Sequence, residues 1–282
     1  MIIANTPVEI REWVKQQRLS PSITVGFVPT MGALHDGHLS LMRQARSDCD
    51  VVVASIFVNP LQFNVQADFD KYPRTDEQDI SLCKEAGVDA VYLPTTDAMY
   101  PAGHETTVQP GATAAPMEGA GRPGHFAGVT TVVTKLFFSV QPDRAYFGLK
   151  DYQQLAVIRK MVVDLDMGIT IIGAPTVRET DGLAMSSRNV RLSTEQRRAA
   201  PVIYKGLSDA HVAFDNGERT PDSLVSVITD IYNTEPLARI EYVSLADAAT
   251  LQPVTEIQAP VVIAVAVWFG DVRLIDNIEL HP

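Results

Sequence analysis

The stretch Ile23–Leu39, ITVGFVPTMGALHDGHL, decides the fold. Its first part, Ile23–Pro29, is a short apolar run that reads as a buried strand. Pro29–His38 then breaks the pattern with glycines and polar residues. It opens a helix predicted over Leu39–Asp48, where Leu39, Met42 and Ala45 share one face. Working outward, Val51–Val58 (VVVASIFV) is a second strand, too apolar for a one-sided sheet. The pattern continues with a helix over 75–86, stopped by Gly87, and a strand at Ala90–Leu93. A helix over Val129–Val140, a strand at Arg144–Phe147, a helix over Tyr152–Leu165 and a strand at Ile169–Gly173 follow. Strands apolar on both faces, alternating with helices, imply a parallel sheet covered on both sides. Such sheets bind ligands beyond the carboxyl ends of their strands. Chemistry is therefore expected at Pro29–His38, Asn59–Phe63 and Gly148–Asp151, all just after predicted strands.

The texture changes after about residue 176. Ser193–Leu207 and Pro221–Tyr232 read as helices. Ile240–Leu245, Val261–Phe269 and Val272–Ile275 read as strands, with a turn at Gly270-Asp271. Two domains are expected: an α/β domain over 1–175 and a smaller α+β domain over 176–282, joined near Ala174–Arg188. An apolar fraction of 46% is enough for a real core, and 20% charged residues with 17 Gly and 18 Pro exclude a disordered or collagen-like chain. The net charge of −11 repels phosphodiester backbones, so a nucleic-acid binder is not expected. A small anion held in a local basic pocket stays possible. Cys49 and Cys83 are too few for a disulfide framework or a four-cysteine zinc site and read as buried small apolar residues. The first residues lack the pattern of a signal peptide, and the longest apolar runs fall well short of the roughly 20 residues that span a bilayer. A soluble cytoplasmic protein with no membrane partner is expected.

Within Met31–His38, two histidines three apart face the same side of a helix start. Backbone N–H groups there point outward and the helix dipole favours an anion. Gly32 and Gly37 let the main chain approach a ligand closely. Imidazole donors, free amides and missing Cβ atoms together suit a polyphosphate. Zinc would need a third ligand, and none has suitable spacing. Met185-Ser186-Ser187-Arg188, at the domain junction, offers two hydroxyls and a guanidinium, the parts of a mobile phosphate clamp. Gly119–Gly124 fits G-x-G-x-x-G but follows no predicted strand, so the dinucleotide reading is rejected for a basic loop near the site. His104, His211 and His281 read as surface residues, and Arg197-Arg198 as a solvated helix face.

His35-Asp36-Gly37-His38 resembles the HxGH signature of the nucleotidyltransferase superfamily, and Met185–Arg188 sits where that superfamily keeps its second phosphate-binding signature. Five blocks narrow the match: Val28–His38, Ser55–Phe63, Tyr72–Thr75, Glu118–Phe126 and Asp181–Asn189. With the tail Trp268–Asn277, they resemble the pantoate–β-alanine ligase family, in family order and over nearly the whole chain. The resemblance implies a Rossmann-like first domain and an ATP-dependent condensation of pantoate with β-alanine. Pantoate would attack the α-phosphorus of ATP, giving pantoyl adenylate and pyrophosphate. The β-alanine amine would then displace AMP. Neither step needs a nucleophile on the protein; both need alignment and neutralised charge.

By the same resemblance, ATP would be bound by Met31, Gly32, Ala33, Leu34, His35, Asp36, Gly37 and His38, by Gly148, Leu149, Lys150 and Asp151, by the backbone of Val177, and by Met185, Ser186, Ser187 and Arg188. His38 would be the proton donor, supported by His35, Lys150 and Arg188. Gln62 and Gln154 would hold pantoate, and Gln62 would also meet β-alanine; Asn59 and Phe63 would line the same pocket. The family pattern Gly-Glu-Lys-Asp has Leu149 in place of Glu here, which leaves the packing of that turn open. Mg2+ would arrive on the ATP phosphates with no protein metal site. A homodimer is implied, with the Val51–Val58 strand and its flanks as one possible interface. Another nucleotidyltransferase, a histidine-based metal hydrolase and a non-catalytic ATP-binding regulator are the competing readings.

Overall fold

The computed structural model describes residues 1–18, 20 and 22–282. The first body contains β1 (Ile2–Ala4), α1 (Pro7–Gln17), β2 (Val25–Thr30), α2 (Asp36–Asp48) and β3 (Val51–Ile56). It continues with α3 (Gln66–Asp70), α4 (Asp76–Glu85), β4 (Ala90–Tyr92), α5 (Thr96–Met99), α6 (Glu118–Gly121) and α7 (His125–Val140). β5 (Arg144–Gly148), α8 (Tyr152–Asp164) and β6 (Thr170–Ala174) complete it. The six strands form one sheet in the order β1-β4-β3-β2-β5-β6, every pair parallel. One face packs Val51, Val53 and Phe57 of β3 and its end against α1, α7 and α8. The other packs Val52, Ala54 and Ile56 against α2 and α4. Both faces are therefore apolar, as the uninterrupted VVVASI run requires. β3 lies inside the sheet with every residue buried, so Val51–Ile56 itself has no exposed face.

Strand order reverses between β2 and β5. These strands pair only at Gly26–Arg144 and Phe27–Ala145, then part toward their carboxyl ends. The crevice of a switch point opens there, with the segments after β2 and β5 on its two sides.

The second body holds α9 (Thr194–Ala199), α10 (Val202–Asp215), α11 (Pro221–Asn233) and an antiparallel sheet of β7 (Ala238–Asp247), β8 (Val261–Phe269) and β9 (Val272–Leu280). The single helix expected over Ser193–Leu207 is two, broken at Ala200-Pro201, because proline inside a helix removes a hydrogen bond. β9 continues past Ile275 to Leu280, paired with β8 along its whole length. The Arg197-Arg198 face is solvent-accessible, Arg198 being exposed, but Arg197 is also tied down, bridging Glu179 at 2.6 Å and Asp181 at 2.6 Å. Helices α10 and α11 cover one face of this sheet. The other face turns Ala246, Val262 and Ala264 toward Met117 and Tyr152 of the first body, forming an apolar seam. Polar ties cross the same seam: Arg273 makes a bidentate pair with Glu118 (2.7 and 2.7 Å), and Tyr152 donates to Glu279 at 2.6 Å.

Candidate active site

The segment between β2 and α2 is held from below by one carboxylate. Asp79, 1% exposed on α4, accepts from the N–H of Ala33 (2.8 Å), the N–H of Leu34 (2.9 Å) and the Thr75 hydroxyl (3.1 Å). The chain enters this hold through left-handed backbone at Gly32 (φ 79°) and Ala33 (φ 49°). A Cβ on Gly32 would sit 2.9 Å from Asp79 Oδ2, so glycine is required there. The amides of this segment are therefore less free than the sequence suggested. Those of Ala33 and Leu34 serve Asp79, and Gly32 donates to Thr30 Oγ1 at 3.2 Å.

The histidines close a capping box on α2. His35 Nδ1 accepts from the Gly37 N–H (3.2 Å), and His38 Nδ1 accepts from the His35 N–H (3.3 Å). A backbone N–H can only donate, so each Nδ1 is unprotonated and each neutral imidazole carries its hydrogen on Nε2. The rings lie 4.1 Å apart. Burial, with the Lys150 charge, lowers the His35 pKa; burial, then His35 and Lys150, pushes that of His38 down to about 3. At neutral pH the pair offers two Nε2–H donors and no positive charge.

After β3, Asn59 organises a short turn. Its Oδ1 accepts from the Leu61 N–H (3.3 Å) and the Tyr100 hydroxyl (2.8 Å), and its Nδ2 donates to the Gly128 carbonyl (3.1 Å) and to Gln62 Oε1 (2.9 Å). The obligatory donor at Leu61 and acceptor at Gly128 fix the amide's orientation. That in turn aims Gln62 Nε2 away from Asn59, toward Met31 Sδ at 3.2 Å. Asn59 is fully buried, so it lies beneath the site. Phe63 packs edge-on against Phe69 and Tyr72. His125, which had no role in the sequence reading, is buried with Nδ1 at 2.8 Å from the Gln62 carbonyl, and burial pushes its pKa down to about 4.

A cavity of about 480 Å³ lies between the two bodies. Lys150, Asp151, Gln154, Ser186 and Arg188 line it, together with Arg122 and His125. Gln153 and Gln154 both line it, but Gln153 is buried and its amide is spent on the backbone of Thr113, Pro116 and Glu118. Met31–His38, Gln62, Gly148, Leu149, Val177, Met185 and Ser187 lie outside this wall. The two phosphate signatures nevertheless meet: a Cβ on Gly37 would be 4.0 Å from Met185 Cβ. Burial raises the Tyr72 phenol, and the adjacent Ser187 hydroxyl and Arg188 charge pull it partly back. Arg188 lies 3.6 Å and Arg191 3.2 Å from Asp68. The Val177 carbonyl accepts from the Met185 N–H at 3.0 Å, tying the adenine-side expectation to the start of the clamp. The GxGxxG match is a short helix and loop, not a strand-to-helix turn. Among the described residues no cluster of three His, Cys, Asp or Glu side chains could hold a metal ion.

Asp79 and Asn277 were missed by the sequence reading. Asp79 had a detectable signal: it shares the buried face of α4 with Cys83 four residues later, and a carboxylate on an apolar face needs a partner. Asn277, buried on β9, donates to the carbonyls of Leu149 (2.9 Å) and Lys150 (2.8 Å). Only tertiary structure brings those groups together.

The family profile described as pantoate-beta-alanine ligase matches residues 2–279. The pantothenate synthetase of Pelotomaculum thermopropionicum is 51% identical over 277 residues, covering 98% of each chain. That of Moorella thermoacetica is 50% identical over 281 residues, covering 100% of this chain and 99% of its own. The crystal structure of pantothenate synthetase from Thermus thermophilus superposes with a TM-score of 0.94 at 46% identity over the full length of both chains. The Francisella tularensis pantoate-beta-alanine ligase, solved with beta-gamma ATP and beta-alanine, gives 0.80 at 35% identity, covering 99% of this chain and 97% of its own. With the same parallel sheet, appended small sheet and paired signatures across the cleft, the chain belongs to the pantoate–β-alanine ligase family.

Proposed function

We propose that the cleft between the two bodies activates pantoate with ATP and passes it to β-alanine, with Met31–His38, Gln62, Gly148–Asp151, Gln154, Val177 and Met185–Arg188 as the working residues. The chain is an ATP-dependent pantoate–β-alanine ligase by its family; the assignment of roles is our reading. The observation that carries it is the approach of two phosphate-type groups from opposite sides. Lys150, on the turn after β5, is near enough for its charge to lower the His35 and His38 pKa values, and Met185 lies against Gly37 from the small domain.

In this reading the Nε2–H groups of His35 and His38 hydrogen-bond phosphate oxygens as charge grows on them, and Lys150 and Arg188 neutralise that charge. His38 starts neutral, so it acts first as a hydrogen-bond donor. Polyphosphate bound beside it would raise its pKa toward proton-donor range. Gln62, its Oε1 held by Asn59, presents N–H donors to the oxygens of pantoate, and Gln154, on α8, would meet pantoate from the wall of the cavity. A donor at that point suits a carboxylate held for attack on the α-phosphorus. The β-alanine amine then attacks the acyl carbon of the adenylate, the tetrahedral oxygen anion collapses, and AMP leaves with the acyl C–O electrons. Gln62 would meet β-alanine as well. The domain over 176–282 acts as a lid that shields the adenylate from water.

Mg2+ fits this site as ATP's own counter-ion. It would be held through the phosphate oxygens. When bound, it withdraws charge from the polyphosphate. A cytoplasmic homodimer completes the proposal, and no described helix is long and apolar enough to cross a membrane. A product assay with ATP, Mg2+ and pantoate, with and without β-alanine, tests the reading. Pantothenate, AMP and pyrophosphate should form together only with all components. ATP turnover with another acid but not with pantoate would refute the substrate roles.

A further inference from the structure

We propose that Asn277, on β9 of the small domain, is a positioning residue for Lys150: it grips the turn after β5 from across the seam, so the lysine is in place only while the small domain is docked. Asn277 is 7% exposed, and its single Nδ2 group donates to two successive carbonyls, Leu149 at 2.9 Å and Lys150 at 2.8 Å. Both partners can only accept, so the amide has one possible orientation. The grip is itself anchored. The Asn277 N–H donates to Asp276 Oδ1 at 2.8 Å, and Asp276, 3% exposed, is clamped by Arg178 at 2.6 and 3.0 Å.

Arg178 also donates to the Gly182 carbonyl at 3.1 Å and pairs by a β-bridge with Ala184, immediately before Met185–Arg188. One buried ion pair thus references both phosphate-binding segments: the clamp through Arg178, and the lysine turn through Asp276 and Asn277. Leu149 adds an apolar hold. Its side chain packs against both the first-domain core and the seam cluster, where the family's usual glutamate would bring a charge. The turn carrying Lys150 is therefore built to read the position of the small domain.

The proposal rests on Lys150 meeting the ATP phosphates, and the test separates the two claims. Asn277→Ala removes the grip, and Asn277→Asp keeps the side-chain shape while turning acceptors toward two carbonyls. Each is compared with Lys150→Ala and with the double variant Asn277→Ala/Lys150→Ala. Glu279→Gln, which alters the seam at the Tyr152 hydroxyl and leaves the Leu149 and Lys150 carbonyls with their Asn277 partner, is the control. Each Asn277 variant should raise the ATP KM about tenfold while the pantoate KM moves less than about twofold, as expected when a misplaced group lies on one substrate only. The increase should vanish in the Lys150→Ala background, because the two residues act as one unit. In NMR titrations of the Asn277 variants the imidazoles of His35 and His38 should protonate at higher pH than in the parent, since the lysine charge is no longer held beside them. Glu279→Gln should change none of these.

An unchanged ATP KM in both Asn277 variants overturns the proposal. So does an equal increase with and without Lys150, or an equal effect of Glu279→Gln. If Lys150→Ala alone leaves ATP use intact, the nucleotide role of Lys150 fails and the tether falls with it.

Discussion

Gly128 is a tight backbone joint beneath the Gln62 turn. Helix α7 crosses the Asn59–Phe63 turn there, and a Cβ on Gly128 would lie 2.4 Å from the Leu61 oxygen, 2.5 Å from its carbonyl carbon and 2.7 Å from the Gln62 nitrogen. Ordinary contact begins near 3.4 Å, so Gly128→Ala has to open this joint by 1 Å or so. The obstacle is backbone, and no rotamer change relieves it. The displaced group is the turn that carries Gln62, and the Asn59 bond to the Gly128 carbonyl (3.1 Å) stretches with it. Overpacking of this kind costs about 1–3 kcal/mol of stability. A catalytic group moved by about 1 Å costs on the order of 10² in rate. The expected outcome is a folded variant whose kcat/KM for pantoate falls about 10²-fold. Its ATP KM should change far less, because Lys150 and Arg188 stand on other elements. Initial rates at saturating co-substrate, with a thermal melt on the same sample, read both effects. Parent-like pantoate kinetics would refute the reasoning, and equal losses for both substrates would show general loosening instead of a displaced Gln62.

Three further outcomes follow from the same geometry. His38→Ala should lower turnover by about 10²–10³, like losing one oxyanion donor, with little loss of fold; near-parent turnover removes His38 from the mechanism. Arg188→Ala should weaken ATP use more than pantoate use, and the reverse pattern in steady-state kinetics moves Arg188 off the phosphates. Stability should fall on mild acidification. His38 and His125 are held down to about 3 and about 4, below the ordinary 6.5, so below that value the unfolded chain binds protons the folded protein refuses. Their contribution is complete above 6.5 and is lost as pH falls toward the folded values. The urea midpoint should therefore drop between neutral pH and about pH 5, before most carboxylates titrate, and a flat midpoint over that window contradicts the assigned burial.

The sheet was legible because its signal is local. VVVASI can be buried on both faces only inside a parallel sheet, and the glycines and histidines of Met31–His38 mark the ligand side of β2. Boundaries shifted where tertiary pairing extended an element, as when β9 ran on beside β8 to Leu280. The candidate site stood out in the sequence as motifs and not as a hydrogen-bond network. The amides of Ala33 and Leu34 looked free in sequence because their acceptor, Asp79, lies on another helix. Asn277 falls in a family-like tail, but nothing local shows that its amide reaches Lys150. Leu149, a departure from the family pattern, became intelligible only with the seam in view.

The central claim is that pantoate is activated as an acyl adenylate in this cleft. The most direct measurement uses pantoate labelled with oxygen-18 in its carboxylate, ATP, Mg2+ and β-alanine, with the nucleotide product analysed by mass spectrometry. Attack on the α-phosphorus followed by amine displacement must leave one labelled oxygen on AMP, and that result is expected. Unlabelled AMP, or ADP as the nucleotide product, would contradict the account.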